Sequence, residues 1–233
     1  MGSDLPKQFL SLNGRPILIR TIELFESLQI PVAIFVVLPL LYLDFWRELI
    51  LEHKMLTPHK VIAGGITRFH SVQNALIHIE DGEITAVHDG VRPLVSNQMI
   101  LNMLKESDKH PAVIPGLEIN DSMRLLNQNE TTDGAYGSTA VDRSCYRLVQ
   151  TPQIFWTNTL KQAYQQCFLP SFSDDATVVE HLGIPLFFIK GEPKNLKITT
   201  PDDLKVAELL ASFFVHSAVL DPDLPLNSLV KRD

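Results

Sequence analysis

The run from Val32 to Leu38, Val-Ala-Ile-Phe-Val-Val-Leu, contains no polar residue. A strand with one wet face alternates apolar and polar side chains, so an unbroken, β-branched run after Pro31 reads as a strand covered on both faces. Strands of that kind sit in parallel sheets between helices, and the neighbouring sequence supplies the helices. After Pro16, Leu18, Ile22 and Phe25 recur at helical spacing over Ile17 to Leu28. The alternation continues with a helix around Phe45 to His53, a strand at Lys60 to Ala63, a helix from Arg68 to Ile79 and a strand at Ile84 to His88. A helix from Ser96 to Glu106 and a strand from Ala112 to Pro115 follow. This order predicts an α/β fold with a doubly wound, mostly parallel open sheet, in which ligands bind beyond the carboxyl ends of the strands.

The stretch from Glu118 to Val149 breaks the alternation. It is polar, contains Asn127-Gln128-Asn129-Glu130 and Asp133-Gly134, and has β-like flanks at Ser122 to Leu126 and Tyr146 to Val149, which predicts a protruding hairpin arm. A helix from Thr157 to Gln166, another after Ser173, a strand at Leu186 to Lys190 and a helix after Thr200-Pro201 complete one domain over residues 1–214. The tail over residues 215–233, with Pro222 and Pro225, is expected to be poorly ordered.

Composition narrows the function. A formal charge of -7 argues against a protein held to nucleic acid by phosphate neutralisation, so any anionic ligand must meet a few placed cations. No segment approaches the roughly 18 apolar residues that span a bilayer. Cys145 and Cys167, expected as small core residues, are too few for a disulfide framework, which fits a reducing cytoplasm. Neither a serine, histidine and aspartate order nor a metal-binding histidine pair stands out.

Several segments carry candidate chemistry. Lys7 in Leu-Pro-Lys-Gln-Phe reads on residue type alone as a surface lysine. Gly64-Gly65 lies between a strand and a helix, where it serves a tight turn or a close backbone approach to a ligand. Asp89, in His-Asp-Gly-Val-Arg-Pro, follows a buried strand where active-site carboxylates of open sheets gather, and it is equally a loop aspartate fixing its own turn. Ser122 and Arg143 fall near the base and the tip of the arm. Thr151 precedes Pro152, Ser173-Asp174-Asp175 reads as an N-cap with first-turn acids, and Lys197 lies between Leu196 and Ile198 near a strand end. Thr200-Pro201-Asp202-Asp203 reads as a cap, a first-position proline and first-turn acids, a structural role only.

Taken in order, LPKQF, GGITRFHSV, HDGVRP, DSMR, DRS, TPQ, SDDATVVE and NLKITTPDDL resemble the 2-C-methyl-D-erythritol 4-phosphate cytidylyltransferase family over nearly all of residues 5–213. The resemblance implies a Rossmann-like nucleotidyltransferase that moves CMP from CTP to 2-C-methyl-D-erythritol 4-phosphate with release of pyrophosphate. It implies that Lys7 opposes charge on the triphosphate, that Gly65, Arg68, Ser71 and Gly90 border CTP, and that Asp89 holds Mg²⁺ and ligand hydroxyls. It further implies that Ser122 and Arg143 reach across a homodimer to substrate in the neighbouring subunit, while Thr151, Ser173 and Lys197 face the substrate. Lys7, Asp89, Arg143 and Lys197 are the catalytic set on this reading, and no histidine is needed, since a phosphate monoester is already anionic. Ile66 stands where the family often has an acid. The resemblance also leads to the expectation that the family's first strand and glycine-rich loop are missing ahead of Met1. The alternatives are a ribitol 5-phosphate cytidylyltransferase and, if the loop is absent, an inactive dimeric binding protein.

Overall fold

The computed structural model describes residues 5–130 and 136–219, with side chains of 127–130, 136 and 213–219 left aside. Near the start, β1 (Ser11–Leu12) and β2 (Arg15–Pro16) form a short antiparallel hairpin. Its turn places Asn13 and Gly14 at positive φ, a conformation that glycine and asparagine reach most easily. Pro16 then fixes the entry to α1 (Ile17–Glu26).

The apolar run at 32–38 yields β3 (Phe35–Leu38), which pairs in parallel with β4 (Lys60–Ala63), Leu38 lying opposite Ala63. Between them α2 (Leu43–Glu52) buries Trp46 and Leu49 against Phe9, Leu18, Ile22 and Leu38. Next come α3 (Arg68–Leu76), β5 (Ile84–Val87), α4 (Asn97–Ser107) and β6 (Ala112–Glu118). The arm contributes β7 (Arg124–Glu130), β8 (Tyr136–Ala140) and β9 (Arg147–Val149). The last elements are β10 (Gln153–Trp156), α5 (Thr157–Ala163), α6 (Asp175–Glu180), β11 (Phe187–Lys190) and α7 (Pro201–Val219).

The larger sheet has the order β11-β6-β10-β5, with β9 also on β6. β11 runs parallel to β6, and β10 is antiparallel to both β6 and β5. Hence β5, β6 and β11 share one direction, while β10, between β5 and β6, and β9, on β6, run the other way. No described strand joins this sheet to the β3-β4 pair.

Alternation along the strands assigns the helices to two faces. Ala112, Ile114 and Phe155 pack with Phe69, Leu160, Tyr164 and Val179 of α3, α5, the turn after α5 and α6. Their sequence neighbours Val113 and Ile154 face the other way, onto Met99, Ile100 and Met103 of α4. This is the doubly wound arrangement, and it leaves the strand ends to carry polar chemistry.

Three expectations need correction. The arm hairpin is β7 with β8, whereas the flank at 146–149 pairs with β6, Gly116 lying opposite Val149. Both cysteines are exposed, because Cys145 lies in a 3₁₀ turn beside the arm and Cys167 in the loop beyond α5. The final helix continues to Val219, past the expected start of the tail, and residues 220–233 lie outside the described ones.

Candidate functional site

The shared direction of β5, β6 and β11 brings their carboxyl ends to one rim, and the reversed β10 adds its first residues there. Asp89 follows β5, Thr151 precedes β10, and Lys197 lies on the segment after β11. These three residues meet. Lys197 Nζ is 3.1 Å from Asp89 Oδ2, and Arg92 Nε reaches the same oxygen at 3.2 Å. The Asp89 backbone N–H donates to Thr151 Oγ1 at 3.0 Å. Gly90 is held close to α1, since a Cβ there would stand 2.8 Å from Leu18 Cδ1.

Charge at this rim is set by placement. Burial pushes the Asp89 carboxyl toward its neutral form, but Lys197, Arg68 and Arg92 outweigh it and hold the pKa below the ordinary carboxylate value. Arg92 is buried and also donates from Nη1 to the Asn195 carbonyl at 2.8 Å, which makes it an anchor of the loop. Lys197, at 45% side-chain exposure, is the cation a solvent-borne anion can reach.

A second group stands at the carboxyl end of β4. Gly65 N–H donates to Ser71 Oγ at 3.0 Å, and a Cβ on Gly65 would lie 2.4 Å from His70 Cβ, so only glycine fits this turn. Thr67 caps α3, and Arg68 opens it. Arg68 Nη2 meets Asp175 Oδ2 at 2.5 Å, and Tyr164 donates its hydroxyl to Asp175 Oδ1 at 2.6 Å. Burial disfavours the Arg68 charge, yet Asp175 and, more weakly, Tyr164 and Asp89 raise its pKa above the usual guanidinium value. The Tyr164 hydroxyl is likewise pushed up, first by burial and then by Asp175. Arg68 is thus clamped by Asp175, and its charge also acts on Asp89, which links the two groups electrostatically.

Asp175 and Tyr164 were not foreseen as partners of Arg68. Ser173 was expected to cap the helix, but Asp174 does so in a capping box with Thr177, and Ser173 lies just outside. His88, for which no catalytic role is expected, lies beside this group. Its Nε2 lies 3.0 Å from the Arg92 carbonyl, its Nδ1 3.1 Å from Thr151 Oγ1, and the edge of its ring meets Phe25.

Ser122 and Arg143 were expected at base and tip of the arm. Both instead border one cavity of about 380 Å³ at its base, with Met123, Arg124 and Asp142. Arg143 donates to the Asn120 carbonyl. No described contact joins this cavity to Asp89 within the chain, nor Lys7 to the Asp89 group. Lys7 opens a 3₁₀ turn whose Phe9 packs on Phe45 and Trp46.

Among the described residues no three histidine, cysteine or acidic side chains form a metal cluster. Mg²⁺ does not need one, because it commonly takes one or two carboxylates, keeps waters and binds substrate phosphates. Asp89 fits that use: both cations engage Oδ2, and no described hydrogen bond engages Oδ1.

Residues 1–212 match the family model described as 2-C-methyl-D-erythritol 4-phosphate cytidylyltransferase. A protein of that name from Bacteroides fragilis is 46% identical over 210 residues, covering 90% of this chain and 93% of the relative. One from Clostridium botulinum is 36% identical over 214 residues, with 91% and 93% covered. The crystal structure of the Thermus thermophilus enzyme of that name superposes with a TM-score of 0.70 at 31% identity, covering 89% of this chain and 94% of that one.

Proposed function

Because this chain belongs to the 2-C-methyl-D-erythritol 4-phosphate cytidylyltransferase family, and so transfers a cytidylyl group from CTP to 2-C-methyl-D-erythritol 4-phosphate in isoprenoid biosynthesis, we propose that the Asp89 rim houses the transfer. The observation that supports this most is one half-buried carboxylate met by an exposed lysine and a buried arginine at the carboxyl ends of the strands.

In the reaction an oxygen of the substrate phosphate attacks the α-phosphorus of CTP. A new P–O bond forms, the bond to the bridging oxygen breaks, and its electrons leave with pyrophosphate. No proton has to be removed first. Catalysis therefore rests on placement and on charge neutralisation. Lys197 is the reachable cation and aims the substrate phosphate, turning from Asp89 toward it. Arg68, fixed by Asp175, faces the nucleotide with Gly65, Ser71 and Gly90, whose lack of side chain or small hydroxyl leaves room for a close approach. Lys7 adds positive charge for the triphosphate. Asp89 would hold Mg²⁺, and the ion would supply neutralisation of phosphate charge. Ser122 and Arg143, placed together away from Asp89, serve the site of a partner subunit in a homodimer formed through the arm. Ser173, beside the α6 cap, borders the substrate.

The test is pyrophosphate release from CTP and methylerythritol phosphate with Mg²⁺, comparing wild type with Lys197→Ala. The variant should raise KM for methylerythritol phosphate far more than KM for CTP. Equal effects on both would remove Lys197 from its assigned role.

A further inference from the structure

Four hydrogen bonds converge on the loop that carries Asp89. The Arg92 carbonyl only accepts, so the His88 Nε2 facing it at 3.0 Å carries the proton. The other ring nitrogen, Nδ1, lies 3.1 Å from the Thr151 hydroxyl, which ties the ring to that residue. The same hydroxyl oxygen accepts from the Asp89 backbone N–H at 3.0 Å. Arg92 N–H closes the loop by donating to the Asp89 carbonyl at 3.0 Å.

We propose that His88 is a positioning residue of the transfer reaction: acting through the Thr151 hydroxyl, its ring fixes the Asp89 backbone and thereby the carboxylate that meets Lys197. Thr151 is only 6% exposed, and its hydroxyl is engaged by the ring on one side and by the Asp89 N–H on the other. Phe25 of α1 packs against the ring at a centroid distance of 5.2 Å. Asp89 also takes its two cations on one oxygen, so a small rotation of the loop would move its free oxygen and Lys197 together.

The inference rests on the Asp89 rim being the transfer site, and two readouts separate it from that reading. The first needs no turnover: in ¹⁵N NMR of histidine-labelled wild type, His88 Nε2 should carry a proton. A bare Nε2 would overturn the proposal. The second is kinetic, with folding checked by thermal melts. His88→Gln and Thr151→Val should each lower kcat by roughly tenfold, the size of one lost hydrogen bond to a placed group, with smaller changes in either KM. Thr151→Ser keeps both bonds and should stay near wild type. Because both residues act through one chain of bonds, the double variant should be no worse than the weaker single one. Additive losses, or a Thr151→Val that raises KM for methylerythritol phosphate alone, would overturn it. Wild type that releases no pyrophosphate would sink the transfer reading, while the Nε2 proton would still decide the chain of bonds.

Discussion

Replacing Arg68 by methionine tests the clamp beside the rim. Asp175 is fully buried, and its two oxygens have one partner each, Arg68 at 2.5 Å and the Tyr164 hydroxyl at 2.6 Å. Arg68→Met keeps the unbranched stem of the side chain, removes the guanidinium and leaves a buried carboxylate with a single neutral donor. Breaking a fully buried pair costs about 3–5 kcal/mol. The Arg68 side chain is 40% exposed, so water can enter its vacated end, and the expected loss falls to roughly 2–3 kcal/mol. For a chain of this size that corresponds to a fall in Tm of about 5–10 °C. Circular dichroism melts at pH 7.5 give the number directly. Arg68→Met combined with Asp175→Asn removes both charges and should recover about half of the loss or more. A single variant within about 1 kcal/mol of wild type would refute the reasoning, as would a double variant that melts below the single.

Three further outcomes are expected. His88 is neutral in the fold at a pKa of about 4 but titrates near 6.5 when unfolded, so the unfolded chain takes up the proton first and stability should fall as pH drops from about 6.5 toward 4, by roughly 3 kcal/mol at most; urea unfolding of wild type and His88→Gln at several pH values should show the shallower slope in the variant. Gly65→Ala must move the backbone near His70, so KM for CTP should rise while KM for methylerythritol phosphate holds, and an unchanged KM for CTP would take the loop off the nucleotide. Asp203 accepts from the N–H and hydroxyl of Thr199 and the N–H of Thr200, so Asp203→Ala should cost about 1 kcal/mol in melts and leave turnover unchanged.

The elements that sequence made legible are those whose side chains repeat with a period. β4 runs from Lys60 to Ala63 as expected, and the helices from Ile17, Arg68 and Thr157 begin where their spacing begins. Direction is another matter. Gln153-Ile-Phe-Trp is four residues long, and an apolar strand looks the same read either way, so neither β10 nor its reversal was visible. The Asp89 cluster was legible in part, because Asp89 and Lys197 belong to recurring motifs. Its supports were not, since the Arg68 to Asp175 pair spans 107 positions and a buried aspartate in Ser-Asp-Asp looks like any helix cap. His88 was read past because catalysis asked for no base, whereas its task is to hold another side chain still.

The reversed strand also governs how this region can come apart. β10 pairs on both sides, Gln153 with Val87 toward Asp89 and Ile154 with Val113 toward the far edge, and Gln150 N–H continues the line to the Pro115 carbonyl. Asp89 and Thr151 therefore hang from the same ladder as the central strands. In hydrogen exchange the amides of Asp89 and Gln150 should lose protection together, as one cooperative opening with the middle of the sheet, and not as separate fraying loops.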